Sequence, residues 1–489
     1  MSDFAGKIAA AAERARPLPL RYKLGFAAGG LVDGTALHPL NIFLLFYLTS
    51  VAGMAPGLAG AAIAAGLVVD AIADPLIGSA SDHCRSRLGR RLPFMLGSLL
   101  PIALGLMLLF SLPRSLDGAA LFVWVAFLSV ALRVSVSLFL LPVTALGAEL
   151  TDDYRERSAL MTLRWFFFMS GGIAGLLLGF GLFFAGPEGL MARDRYTPFA
   201  ITLALIVIAG GLVACRTALA TRRREHAPVA EIRSVRAFAG EIAECLRNPA
   251  FRTVLVTNIL FFVGFGINSV LGIHANTLFW GLNGEQVRSV TLALFFGLFL
   301  GAPLGGLLLS RMEKRNVLIL GISALLLCQS APVLLRLAGL LPFEGDSLSA
   351  LLTIFSLIAG MFTGCAGIAV NAMGPDVADL HEVLFGTRRE GLFAAGNAFA
   401  NKAASAGGTL VAGLLLGFIA LPAEAGGDPG PVAVPEGSLN LLGLVYGPGA
   451  ALFSLMAVFA ILKYRIDRET HARNIAALDD RRLAASAAA

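Results

Sequence analysis

Apolar residues run along this chain in blocks of roughly 20 to 30, separated by short polar or basic segments. A block of that length crosses the hydrocarbon core of a bilayer as a single helix. The blocks fall near 24–52, 58–80, 93–112, 119–149, 159–185, 198–219, 253–282, 287–310, 316–338, 347–374, 391–421 and 440–464. A transmembrane barrel would instead show short segments alternating at every second position. The pattern predicts an all-α membrane protein with twelve transmembrane helices.

Composition agrees. Of 489 residues 57% are hydrophobic and 14% charged, with a mean hydropathy of +0.79, which excludes an ordinary soluble domain. The net charge of +6 invites a nucleic-acid reading, but its distribution points elsewhere. Roughly 30 of the 38 Lys and Arg fall on one side of the expected membrane and about five on the other. That asymmetry predicts a multi-pass protein of the inner (plasma) membrane with both termini in the cytoplasm, and makes the basic charge a matter of topology. Met1 to Lys23 shows no cleavable signal pattern. Five scattered cysteines offer neither a disulfide framework nor metal spacing, and no cofactor is implied.

The longest polar break, 221–252, carries charges together with Ile232, Val235, Phe238, Ile242 and Leu246, the pattern of an amphipathic linker at the membrane surface. It divides the chain into an N-terminal bundle at 1–220, a C-terminal bundle at 253–464 and a cytoplasmic tail at 465–489. An internal echo supports two pseudo-symmetric six-helix halves. "DPLIGSASDHCRSR" in the second block corresponds to "APLGGLLLSRMEKR" in the eighth, with Pro75 matching Pro303 and Gly78 matching Gly306. The echo fails where Asp70 and Asp74 align with Leu298 and Ala302, so the acid pair belongs to the N-terminal half alone.

Charges inside apolar blocks are costly and mark either structural pairs or sites. Asp70 and Asp74 stand one helical turn apart, on one face. Two close desolvated carboxylates share a proton, hold a cation or borrow a counter-ion. Sodium needs several oxygens, available from Ser137 or from carbonyls freed near Pro75; a proton needs none. A static pair with Lys402 or Arg164 is the structural alternative. Lys402 itself, with Asn397 and Asn401 nearby, requires an acid partner and serves as either a coupling bridge or a fixed strut. Asp33 and His38 in the first block, with Arg133 in the fourth, offer contacts to substrate hydroxyls or to an acidic group; the alternative is a mutual Asp33–Arg133 pair. His274, Asn268 and Asn276 extend the polar set. Asp82 with Arg90 and Arg91, and Asp153 with Arg155 and Arg157, sit at cytoplasmic helix ends and suit gating latches. The ladders Gly171, Gly175, Gly179 and Gly297, Gly301, Gly305 suit close helix packing. No nucleophile–base arrangement or phosphate-cradling loop appears, so the chain reads as no enzyme.

Gly78, Asp82, Arg87, Gly89, Arg90 and Arg91 resemble the loop between helices two and three of the major facilitator superfamily. With "DAIADPLIG", "LPVTALGAELTDDYRERSALMTLR" and "MGPDVADLHEVLFGTRREGLFAAGNAFANK", the chain resembles the melibiose-permease-like glycoside–pentoside–hexuronide:cation symporters over nearly its whole length. The resemblance implies Asp70 and Asp74 as cation-site acids, Ser137 as the cation-site hydroxyl, and Asp33, Arg164 and Lys402 as substrate or coupling residues. Two departures matter: Ala73 stands where sodium-using members carry Asn, and Leu140 and Thr144 lie where disaccharide carriers place an acid and an aromatic.

The expected function is therefore uptake of a small molecule, a glycoside or hexuronide, coupled to sodium or proton influx by a monomer in the bilayer. A lysophospholipid or other amphipath is the alternative substrate, and a non-transporting membrane sensor the alternative class.

Overall fold

The computed structural model describes residues 18–151, 153–186, 189–222, 240, 244–386, 390–418 and 435–488. Most of the expected linker at 221–252 lies outside them. Among the described residues the structure is helical, with no strand. The described helices form two compact units, one holding α1–α6 and the other α7–α13.

In the first unit α1 is Leu20–Phe46, α2 Pro56–His83, α3 Leu92–Leu109, α4 Gly118–Glu149, α5 Tyr154–Leu178 and α6 Tyr196–Thr221. α1 and α5 each close on a π turn, Tyr47–Val51 and Gly179–Phe183. In the second unit α7 is Pro249–His274, α8 Gly284–Arg311, α9 Lys314–Leu337, α10 Gly345–Phe385 and α11 Glu390–Phe418. α12 spans Glu436–Ile461 around a π turn, and α13 is Arg468–Ala488. Local chemistry sets the starts. Pro56 and Pro249 sit in first turns, where a missing N–H costs nothing. Asn283 and Gln286 form a reciprocal capping box on α8.

Eleven of these helices are long and apolar enough to cross a membrane. The remaining expected segment, 391–421, forms α11, whose apolar character is diluted by Asn397, Asn401, Lys402 and several glycines. The expected tenth helix, 347–374, is too short: α10 runs 41 residues to Phe385, about 60 Å. Asp376, Asp379 and His381 end the apolar run but not the helix, because the fold buries them.

The two units repeat one pairing scheme. α1 packs on α5 and α6, α2 on α4, and α3 on α4 and α6. Six helices later α7 packs on α11 and α12, α8 on α10, and α9 on α10 and α12. Missing side chains draw the key seams together. A Cβ on Gly30 or Gly34 of α1 would stand 2.3 Å from the Arg164 carbonyl oxygen or 1.9 Å from that of Phe168 on α5. In the second unit a Cβ on Gly297 or Gly301 of α8 would stand 2.1 Å from a carbonyl oxygen of α10. Of the expected glycine ladders, Gly171, Gly175 and Gly179 pack against α1, and Gly297, Gly301 and Gly305 against α10.

Candidate functional site

The α1–α5 seam decides which charges meet. With Gly30 and Gly34 against α5, the buried Asp33 carboxylate receives a hydrogen bond from Arg164 Nη2 and forms an ion pair with it. This corrects the Asp33–Arg133 alternative: Arg133 lies on α4, away from the glycine seam. It also commits Arg164 to Asp33 rather than to the Asp70–Asp74 pair. His38, one turn beyond Gly34, sits with Nδ1 3.1 Å from the Gly34 carbonyl oxygen and its ring 4.7 Å from that of Phe168. It lies on the α5-facing side of α1, beside Gly172.

The α2–α4 seam builds the second cluster. Ser137 Oγ donates to Asp70 Oδ1 at 2.5 Å, and Asp70 is only 6% exposed. One turn earlier on both helices, Arg133 Cδ would lie 3.1 Å from a Cβ on Gly66. The Arg133 head then reaches α1, where Nη2 donates to Asn41 Oδ1 at 3.1 Å. Asp74 follows Asp70 by one turn and is half-buried. Carboxylate and hydroxyl oxygens of this kind are hard donors suited to sodium or a proton. Among the described residues no group of three or more His, Cys, Asp or Glu exists that could hold a metal. Sodium would therefore need Ser137 and main-chain oxygens to complete its shell, whereas a proton needs only a carboxylate.

The second unit carries its own polar seam. Asn258 Nδ2 of α7 donates to Asn397 Oδ1 of α11 at 3.3 Å. The buried Asn401 Oδ1, one turn on, has no hydrogen-bond partner among the described residues. Lys402 is half-buried on the same helix. Asn268 Nδ2 donates to the Tyr446 carbonyl at 3.2 Å, while His274 and Asn276 are buried.

At the helix ends the expected latches are rearranged. Arg90 and Arg91 converge on Glu149 Oε1 at 2.6 and 2.7 Å, tying the α2–α3 loop to the end of α4. Arg91 also meets Asp82 at 2.6 Å and donates to Ser81 Oγ. Glu149 was not anticipated, although the Glu–Leu–Thr–Asp–Asp run contains it. Asp153, expected to pair with basic neighbours, caps α5 by accepting from the Glu156 amide at 2.7 Å. Arg157 donates to the Thr151 carbonyl; the Arg155 side chain lies outside the described set. The ion pair of that corner joins Glu156 and Lys23 at 2.7 Å. Burial alone would raise the Glu156 carboxyl, but donors from Lys23, Thr151 and the Leu18 amide outweigh it and hold it below the usual range. The second unit repeats the device: Lys314, at the start of α9, reaches both oxygens of Asp376 on α10 at 2.7 Å.

Twelve expected spans in two repeats, with carboxylates, guanidinium groups and amides gathered at the internal seams, define a multi-pass membrane transporter rather than an enzyme. The chain matches the MFS/sugar transport protein family over residues 25–468 and belongs to it. An uncharacterized symporter of Synechocystis sp. is 26% identical across 94% of this chain and 96% of its own length. The isoprimeverose transporter of Lactiplantibacillus pentosus is 25% identical across 95% of each chain. The sodium-dependent lysophosphatidylcholine symporter 1 of Gallus gallus is 24% identical across 94% of this chain and 89% of its own length. Among solved structures, a D-xylose–proton symporter superposes with a TM-score of 0.58 at 14% identity, covering 92% of this chain and 97% of its own, a likeness of fold. The resemblance to glycoside–pentoside–hexuronide:cation symporters is thereby supported.

Proposed function

We propose that the protein is a secondary active symporter of the inner membrane, with cytoplasmic termini, taking up a glycoside or hexuronide by alternating access. Sodium or proton influx drives it. The observation that carries this reading is the Asp70–Ser137 contact: a carboxylate and a hydroxyl brought together at 2.5 Å inside the apolar span, with Asp74 one turn on. Such a group is costly to bury unless it is paired, protonated or holds an ion, and an ion or proton there would supply the coupling. Asp33, His38 and Arg164 serve the substrate side, and Asn397, Asn401 and Lys402 the corresponding side of the second unit. The clusters of Asp82, Arg90, Arg91 and Glu149, and of Asp153 and Arg157, hold helix ends that must move when access alternates. A ligand shifts that equilibrium only by its difference in affinity for the two states.

The similarity to a lysophosphatidylcholine symporter favours a second reading, in which an amphipathic lipid is the cargo. Thermal stabilisation of the purified protein separates the readings. Glycosides, glucuronides and lysophospholipids are each tested with sodium, with potassium and across pH. A ligand at about 100 times its dissociation constant adds roughly 2.7 kcal/mol to stability. A sugar response that grows with sodium or falling pH is expected; a lysolipid response alone would overturn the sugar reading. Silence throughout, with no cation response, would favour the sensor.

A further inference from the structure

Arg133 differs from Arg164, Arg90 and Arg91 of the first unit in what its head group meets. Arg164, Arg90 and Arg91 all end on carboxylates. Arg133, 5% exposed, ends on a neutral amide, Asn41 Oδ1, and forms no ion pair among the described residues. A guanidinium has five N–H donors in a planar fork, and a neutral amide oxygen neither fills them nor balances the charge. Asn41 itself is exposed although it lies within the apolar α1, where a polar amide facing hydrocarbon would be costly.

The surroundings show how the group is held. Gly66 leaves room for the Arg133 stem, since a Cβ there would stand 2.9 Å from the Ser129 carbonyl and 3.1 Å from Arg133 Cδ. Asp70 and Ser137 follow one turn later on the same two helices, placing the guanidinium within electrostatic reach of Asp70. The arrangement is a buried cation one helical turn from the carboxylate of the expected ion site.

Resting on the transport reading above, we infer that Arg133 is the anchor for an anionic group of the substrate, a carboxylate or phosphate, and that cation binding at Asp70 and Asp74 strengthens that anchor. Without the coupling ion, the two carboxylates repel an incoming anion. With the ion in place that repulsion is cancelled, and the fork is available for bidentate recognition. By reciprocity, anionic substrate then tightens cation binding by the same factor. The substrate class narrows to acidic sugars or phosphate-bearing amphipaths, which share this chemistry.

The test uses full-length protein and three probes by calorimetric titration: p-nitrophenyl β-glucuronide, its neutral counterpart p-nitrophenyl β-glucoside, and a lysophosphatidylglycerol. Each is measured with and without sodium and at two pH values. The wild type is expected to prefer an anionic probe over the neutral one by about ten- to a hundred-fold, with affinity rising when sodium or protons are supplied. Arg133→Gln removes that preference and Arg133→Lys retains part of it; Asn41→Ala, at an exposed position, weakens it while sparing the fold. Response to the glucuronide names an acidic sugar, and response to the lysolipid alone names a phosphate-bearing amphipath, both through Arg133. Equal binding of glucuronide and glucoside, unchanged in Arg133→Gln, would overturn the inference. If that glucoside binding still depended on the cation, the symport reading would stand without it.

Discussion

Ser137 and Asp70 are joined by a hydrogen bond whose removal can be read directly. Ser137→Ala deletes one hard oxygen without changing backbone or charge, and the apparent affinity for the coupling ion should fall about five-fold, in line with roughly 1 kcal/mol for such a contact. Transport titrated against sodium or pH checks it. The Asp33–Arg164 pair makes a second prediction. Arg164→Gln strands a buried carboxylate and should destabilise the fold by about 3 kcal/mol or more, whereas Asp33→Asn with Arg164→Gln should recover much of that loss. Thermal unfolding of both variants decides. At this scale the sequence showed which residues carry charge inside apolar runs, because Asp70 and Asp74 stand a turn apart where hydrocarbon would penalise them. It did not show partners. Asp33 has two arginines within apolar helices to choose from, Arg133 and Arg164, and the choice is made by how closely α1 approaches α5. Glu149 was equally hidden: it shares its segment with three other acids, and only the phase of α4 selects it to meet Arg90 and Arg91.

The elements were legible in number and extent wherever apolar length alone sets them. They were misjudged where polar residues are buried by tertiary pairing, as at the end of α10, where Asp376 is met by Lys314. The α1–α5 seam is the element on which the site depends. Gly34→Ala puts a methyl group 1.9 Å from the Phe168 carbonyl, so one helix must shift. A loss of about 1–3 kcal/mol is expected, with impaired transport following from the displaced Asp33–Arg164 pair. Gly78→Ala, with nothing within 4 Å, is the control and should leave thermal stability nearly unchanged. The corner where α5 meets the start of α1 carries a pH signature. Because the folded-state pKa of Glu156 is lowered, its pairing with Lys23 stabilises the fold above the unfolded glutamate value, about 4.3. That contribution is lost as pH falls through the lower folded value. The melting temperature of the wild type should therefore drop more steeply below about pH 4.5 than that of Glu156→Gln.

At the scale of the whole molecule, the pairing scheme of α1–α6 recurs in α7–α12 and supplies a scaffold, and the chemistry breaks its symmetry. Asp70 and Asp74 have apolar counterparts, Leu298 and Ala302, so the proposed ion site belongs to one repeat. The helix-end device is duplicated, with Arg90 and Arg91 on Glu149 in one unit and Lys314 on Asp376 in the other. This division suits the proposed symport: a helix-end ion pair in both halves and a proposed coupling-ion site in one. The most direct test is accumulation of labelled glucuronide and lysophospholipid probes by proteoliposomes under an inward sodium gradient, an inward proton gradient, or neither. Accumulation driven by one of those gradients and abolished in Asp70→Asn and in Asp74→Asn is the predicted result. Gradient-driven accumulation that persists unchanged when both aspartates are replaced would contradict the account.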